Sequence, residues 1–284
     1  MLKLALGTVQ FGLPYGINNN SGVPTDFELK EIFALSKEAG IEILDSAQGY
    51  GNAEERIGKL SNNEFQVITK FKNLKSAYPF HNELSESLCK LKSDSIYAYM
   101  AHDGNLLIKN PSWWEGLQLA KEKRLIKKIG YSLYSVDQLE TLFANNMIPD
   151  IIQFPFNILD RSFESFFPKL ASLGVEIHTR SVYLQGLLQM DPTQISNQFR
   201  PLQSDLSLIR QIAMQNQLTI GQICLGFVIN NPFIKKVVIG IDNLFQLNEN
   251  IKICRTTILS KELMNELNSI QVKDKSMLNP MNWK

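Results

Sequence analysis

Three cysteines in 284 residues, Cys89, Cys224 and Cys254, stand far apart with no C-x-x-C spacing. That excludes a disulfide framework and a zinc knuckle, and leaves core thiols of a reducing compartment. Histidine is equally scarce at three, and although His102 and His178 both end apolar runs, no H-x-H pair with converging carboxylates accompanies them. A metal-dependent barrel hydrolase is therefore disfavoured. Neither sign of charge dominates, with 29 Lys plus Arg against 28 Asp plus Glu, so no overall field draws the chain to nucleic acid or an anionic membrane surface. Any anionic ligand must be met by local groups. No apolar run approaches the roughly 20 residues of a membrane span. The opening M-L-K-L-A-L-G-T is too quickly interrupted for a secretory signal. The expectation is a soluble cytoplasmic protein with a small-molecule substrate and no nucleic-acid or membrane partner. Also missing is G-x-G-x-x-G: after the first apolar run stands G-T-V-Q-F-G, which argues against a doubly wound dinucleotide fold.

What is present is a regular alternation. Apolar runs of strand length lie at Leu2–Leu6, Ile41–Leu44, Gln66–Thr69, Ile96–Ala101, Ile126–Gly130, Ile151–Phe154, Val175–His178 and Val237–Gly240. Between them run helical patterns. Thr25 is an N-cap for a helix that turns Phe27, Ile32, Phe33 and Leu35 inward and stops at Gly40. The same grammar recurs at Asn82–Leu91, Ser112–Lys123, Ser135–Asn145 and Phe163–Leu173. Strands apolar on both faces, alternating with amphipathic helices, imply parallel pairing through right-handed crossovers. Eight such units, with 44% hydrophobic residues overall, predict an α/β fold, a (β/α)8 TIM barrel in a single domain over residues 1–284. The long stretch between His178 and Val237, with helices near Asp205–Gln215 and Thr219–Asn230, reads as an insertion after strand seven that covers part of a ligand. A further helical stretch follows Ser260, and then a tail carrying Trp283.

The chain's centre of interest is Ile41–Gly58, where an apolar run delivers Asp45 and then Tyr50 onto a glycine-flanked loop. Lys70 ends the third run and His102 the fourth. Asp45 alone reads as a turn former, Lys70 as a snorkelling cation and His102 as a core imidazole. Together, on adjacent strand ends, they form a chain in which each group alters the next one's proton affinity. A cation beside the phenol favours phenolate, a nearby imidazole can donate to the same oxygen, and Asp45 would hold Lys70 charged. Such a group suits proton transfer to a carbonyl oxygen, but it supplies no electrons, so a reduction needs a hydride donor.

D-S-A-Q-G-Y-G, with the later Lys70 and His102, resembles the aldo-keto reductase family. L-G-T-V-Q-F-G, G-Y-S, Q-F-P-F-N, S-V-Y-L-Q-G-L-L and V-V-I-G-I-D-N-L-F-Q-L-N-E-N extend the resemblance over nearly the whole chain. It implies an NAD- or NADP-dependent oxidoreductase interconverting a carbonyl (aldehyde, ketone or sugar) and an alcohol. Tyr50 would be the proton donor and acceptor, Lys70 and Asp45 would tune it, and His102 would orient the carbonyl. The first-strand segment, with Gly7 and Thr8, would border the cofactor. Ser132 and Gln153 would grip the nicotinamide carboxamide, supported by Asn157, while Ser181 and Leu187 would lie along the pyrophosphate. Gly240, Gln246, Glu249 and Asn250 would surround the adenosine. A regulatory protein that keeps the cofactor site but turns over little is the alternative, and the intact tetrad argues against it.

The departures from that family are informative. Arg180 stands where many members place an aromatic ring against the nicotinamide, and its charge could serve an anionic substrate or the pyrophosphate. Leu133 replaces a common Asn. Asp242, Asn243 and Gln246 stand where NADP-preferring relatives carry Ser, Arg or Lys, so NADH use is expected. With a strand at Leu2–Leu6, an N-terminal hairpin across the barrel floor is expected to be shortened or absent. Phe11, Tyr15, Phe71, Phe80, Trp113 and Trp114 are candidate pocket walls, and the polar loop from Phe11 to Asn20 suits a polyol or sugar. The oligomeric state is not legible in the sequence.

Overall fold

The computed structural model describes residues 2–19, 21–72 and 80–283, the side chains at 80, 81 and 281 excepted. Parallel strands close into a barrel in chain order: β1 Leu4–Gly7, β2 Ile43–Asp45, β3 Gln66–Phe71, β4 Ile96–Ala101, β5 Ile126–Ser132, β6 Ile151–Pro155, β7 Glu176–Arg180 and β8 Ile234–Gly240. β8 returns to pair with β1, which closes the ring. This is the (β/α)8 TIM barrel expected from the alternation. The strands are buried on both faces. Inside the barrel, Ala5, Ile43, Ile68, Ala98, Met100 and Ile151 form a small cluster of their own, while the outward faces join the larger core beneath the helices.

Helix placement follows local chemistry. Asp26–Ala39 starts at a full capping box, in which Thr25 accepts from the Glu28 amide while Glu28 reaches back to Thr25, and it ends at Gly40 with φ 82°. It buries Leu29, Ile32, Phe33, Ser36 and Ala39. Phe27, expected inward, is 70% exposed, because the buried stripe runs through Leu29 and places Phe27 in the first turn on the solvent side. Ser135 and Thr219 cap Val136–Ala144 and Ile220–Ile229 in the same way. The helix expected over Phe163–Leu173 divides into a 3-10 turn, Glu164–Phe166, and a short α-helix, Phe167–Ser172, where Pro168 lacks an N–H. The remaining expected helices appear as Phe80–Leu91, Ser112–Glu122, Gln203–Gln215 and Lys261–Asn268, and a further helix, Leu244–Thr256, follows β8.

The largest differences concern strand ends. β2 continues through Asp45, β5 through Ser132 and β7 through Arg180, each beyond the last apolar residue. Pairing is a backbone property, so Gly7 faces Asp45, Ser132 faces Gln153 and Gly7 faces Gly240 across the ladders. β8 begins at Ile234, three residues earlier than the apolar run suggests, because Ile234 and Lys236 pair with Ile177 and His178 of β7, the register shifting so that Lys235 is passed over.

At the opposite end the barrel floor is polar. Glu176 accepts from the Tyr97 hydroxyl at 2.9 Å and pairs with Lys128 at 2.7 Å, with the buried His178 facing it at 3.7 Å. Lys236 donates to the Leu2 carbonyl at 2.8 Å, and Lys3 to the carbonyls of Ile229 and Asn231, both at 2.8 Å. Among the described residues, no single helix is long and apolar enough to cross a membrane.

Candidate active site

A cavity of about 460 Å³ opens at the C-terminal ends of the strands. Its walls include Asp45, Tyr50, Lys70 and His102 at one end and Gly240, Asp242 and Gln246 at the other, with Gly7, Thr8, Ser132, Gln153, Arg180 and Ser181 between. Residues from all eight strand ends thus share one space, which is what a barrel does with polar residues at the tops of its strands.

The tetrad end is built from a buried ion pair. Lys70 donates to Asp45 Oδ1 at 2.6 Å and to the Ser46 carbonyl at 2.9 Å, with both side chains almost fully enclosed. Gln153 donates to the other carboxylate oxygen at 2.8 Å, so both oxygens of Asp45 are engaged. Burial lowers the Lys70 ammonium from its ordinary value, against the pull of Asp45. Lys70 Nζ lies 5.8 Å from the centre of the Tyr50 ring, and the His102 imidazole meets that ring edge-on, 5.8 Å between centres at 89°.

Tyr50 is held by its loop. Its amide donates to the Ala47 carbonyl and its own carbonyl accepts from Ala53, while Gln48 pins the segment to Glu83, Ser87 and Tyr99. Gly12 packs against the Tyr50 carbonyl so closely that a Cβ there would stand 2.0 Å away, and Gly51, at φ 58°, faces Gly12 in turn. The electrostatics of this end correct one expectation. Burial first, and then the Asp45 carboxylate, raise the Tyr50 phenol well above its ordinary value, while Arg180 opposes them. The neighbouring ammonium does not reverse this. Burial, with Lys70 and Arg180 adding to it, lowers His102 to about 4, so the imidazole is neutral at physiological pH.

On the β7 side, Asn157 is fully buried, donates to the Ser181 carbonyl at 2.9 Å, and accepts from the Leu159 and Asp160 amides. Ser181 sits at φ 63°, followed by Leu184 and Gln185 also in the left-handed region. Gln185, Gly186 and Gln189 of the insertion line the cavity, and Gln185 donates to the Tyr15 hydroxyl at 2.8 Å, joining the insertion to the first loop. Trp283 rests edge-on against Phe199 of the insertion, 4.8 Å between centres, and Pro280 of the tail reaches the cavity wall.

At the far end, Asp242 and Gln246 form a closed pair, backbone to side chain at 2.8 Å and amide to carboxylate at 3.1 Å. Asn243 caps Leu244–Thr256 by accepting from the Gln246 amide at 3.0 Å. Asn250 bonds the Tyr183 hydroxyl and the Gln246 carbonyl. Asn157, Leu187, Glu249 and Asn250 are not among the residues that line the cavity; the first two and Asn250 are buried, and Glu249 is half-buried.

Asn18 and Asn19 of the polar first loop line the cavity, and three further lining residues went unnoticed in the sequence: Gln10, Tyr134 and Tyr183. Gln10 and Tyr183 belong to segments that the family resemblance marked, yet their inward aim depends on loop conformation. Tyr134 becomes visible only through its stacking on Arg180. Of the expected pocket walls, Tyr15 lines the cavity, whereas Phe11, Phe71, Trp113 and Trp114 are buried in the core. The side chain of Phe80 lies outside the described residues.

The aldo/keto reductase family profile matches residues 3–272. An uncharacterised oxidoreductase of Bacillus subtilis is 24% identical, aligned over 84% of this chain and 85% of its own. An aldo-keto reductase of Bombyx mori is 27% identical over 73% and 71%. Among solved structures, the holo form of an aldo-keto reductase from Bacillus halodurans superposes with a TM-score of 0.77 at 20% identity, covering 93% of this chain and 90% of that one. The chain belongs to the aldo/keto reductase family. It is accordingly an oxidoreductase of the class that interconverts carbonyls and alcohols with a nicotinamide dinucleotide.

Proposed function

We propose that this cavity binds the nicotinamide dinucleotide along its length and that Tyr50 exchanges the proton with the substrate oxygen. The observation that carries this reading is the convergence of the Asp45–Lys70 pair, Tyr50 and His102 at one end of a cavity continuous with Gly240 and Asp242. The walls fit such a cofactor. Gln10 Oε1 is buried without a hydrogen-bond partner, and a Cβ on Gly240 would meet the Gln10 amide at 2.6 Å, so a glycine keeps that wall open. Ser132 and Gln153 would hold the carboxamide, Ser181 the pyrophosphate, and Gln10, Asp242 and Gln246 the adenosine ribose.

When bound, the nicotinamide supplies the hydride. Tyr50, protonated throughout the neutral range, donates to the developing alkoxide. Neutral His102 donates a second hydrogen bond to that oxygen and aims the carbonyl. Lys70, locked on Asp45, holds positive charge behind the phenol. In a Tyr50→Phe variant kcat should fall by about 10²–10⁴-fold with cofactor affinity little changed. Stopped-flow and fluorescence titration would read the two separately, and an undiminished rate would remove Tyr50 from the mechanism.

The cofactor end favours NADH. Asp242 and Gln10 Oε1 are acceptors that suit ribose hydroxyls, whereas the cations on the cavity wall among the described residues, Lys70 and Arg180, belong to the tetrad end and β7. A 2′-phosphate would face a carboxylate. Fluorescence titration should show NADH binding at least as tightly as NADPH, and a tenfold preference for NADPH would sink the assignment. Asp242→Ser combined with Asn243→Arg should shift the preference toward NADPH by about tenfold.

A further inference from the structure

One guanidinium on the cavity wall has no carboxylate to answer it. Arg180 ends β7 half-buried, its Cζ 4.4 Å above the centre of the Tyr134 ring. It donates to the Leu133 carbonyl at 3.1 Å and to the Ser181 hydroxyl at 3.3 Å. Both acceptors are neutral. No ion pair among the described residues includes Arg180. The nearby carboxylate, Asp45, is committed on both oxygens to Lys70 and Gln153, and Asp242 pairs with Gln246 at the other end. The tetrad end therefore holds one uncompensated positive charge in a molecule whose formal net charge is only +1.

A partly desolvated cation regains little from neutral acceptors, and it is best completed by an anion that arrives with the ligand. The stacked, two-point tether pre-organises the guanidinium, whose planar fork matches the two oxygens of a carboxylate. The same cavity is lined by Tyr15, Tyr134, Asn18 and Asn19, which suit hydroxyls better than hydrocarbon. We propose that Arg180 selects a carbonyl substrate bearing a carboxylate, an oxo acid or uronate, and grips that carboxylate while the carbonyl meets Tyr50 and His102. The inference rests on the hydride-transfer reading above. In the reduction the carbonyl carbon takes the hydride of reduced nicotinamide, the oxygen takes the proton of Tyr50, and the carboxylate passes through unchanged.

The test compares matched pairs with the tighter-binding cofactor: 4-oxobutanoate against its methyl ester, and D-glucuronate against D-glucose. In the wild-type enzyme kcat/KM should favour the acid by about tenfold or more in at least one pair, and Arg180→Gln should bring the ratio close to one, with Arg180→Lys between. A ratio is read because any change in cofactor affinity cancels from it. Parity in the wild type, turnover of neutral carbonyls alone, or a ratio unmoved in Arg180→Gln overturns the proposal. So does a loss confined to cofactor affinity, which would assign Arg180 to the pyrophosphate. A second measurement needs no turnover: the cofactor complex of Tyr50→Phe is titrated with 4-oxobutanoate by fluorescence quenching, with and without Arg180→Gln. Binding that weakens about tenfold supports the proposal, and unchanged binding overturns it. Arg180-dependent binding together with no turnover of any carbonyl by the wild type would remove the hydride-transfer reading and leave the carboxylate grip standing.

Discussion

The phenol and imidazole of the site face each other with their ordinary titration ranges pushed apart. Burial and Asp45 raise Tyr50, while burial, Lys70 and Arg180 bring His102 to about 4, so neither changes charge in the neutral range. The kcat for reduction should therefore be flat from about pH 5 to 9, and a limb with an apparent pKa near 7 would contradict the assignment. The Asp45–Lys70 pair carries structural weight as well. Its two side chains are 4% and 1% exposed, so Asp45→Asn leaves a buried ammonium unpaired. Urea unfolding should show a loss of about 3–5 kcal/mol, well beyond that of a surface substitution. These residues were legible in the sequence as polar groups on successive strand ends. The stacking of Arg180 on Tyr134 was not, since it joins the end of β7 to the loop after β5, which only the closed barrel brings together.

Among the elements, two loops share the placement of Tyr50. The first loop, tied to the barrel by Arg56 through Asp26, Phe11 and Pro24, presses Gly12 against the Tyr50 loop. Gly12→Ala puts a methyl 2.0 Å from the Tyr50 carbonyl and must displace the phenol. A shift of this kind should lower kcat by roughly tenfold or more, with cofactor affinity measured by fluorescence changing much less. The apolar runs locate every strand yet cut β2, β5 and β7 short at their C-terminal ends. The apolar criterion measures what a side chain buries, whereas a strand ends where its backbone stops pairing. Asp45, Ser132 and Arg180 line the cavity rather than the core, and they remain in the sheet all the same.

For the whole molecule, the polar floor couples folding to pH. Burial alone would raise the Glu176 carboxyl, but His178, Lys128 and Tyr97 around it bring it down to about 2. Full burial lowers the His178 imidazole. The signs agree: the folded chain resists protonation at both groups, so the unfolded chain binds more protons as pH falls. Stability from His178 and His102 is complete above their ordinary value of 6.5 and is lost below it. That from Glu176 is lost between its ordinary 4.5 and about 2. Thermal melts should show Tm steady above about pH 7 and declining continuously from there toward pH 4, and a Tm rising on acidification would refute this account. Glu176→Gln should flatten the acid end of that decline.

By itself the sequence determined the barrel and the tetrad, because alternating apolar runs and caps are local properties, and because four ionisable side chains at strand ends stand out wherever the strands go. It did not determine what those groups do to one another. Whether Lys70 would depress Tyr50 depended on desolvation and on the nearby Asp45 carboxylate, both set by packing across the barrel. Likewise, the sequence showed that Arg180 was unusual, but only the tertiary structure left it without a carboxylate. An ion pair is a matter of a few ångströms, and those distances exist only once the ring of strands has closed.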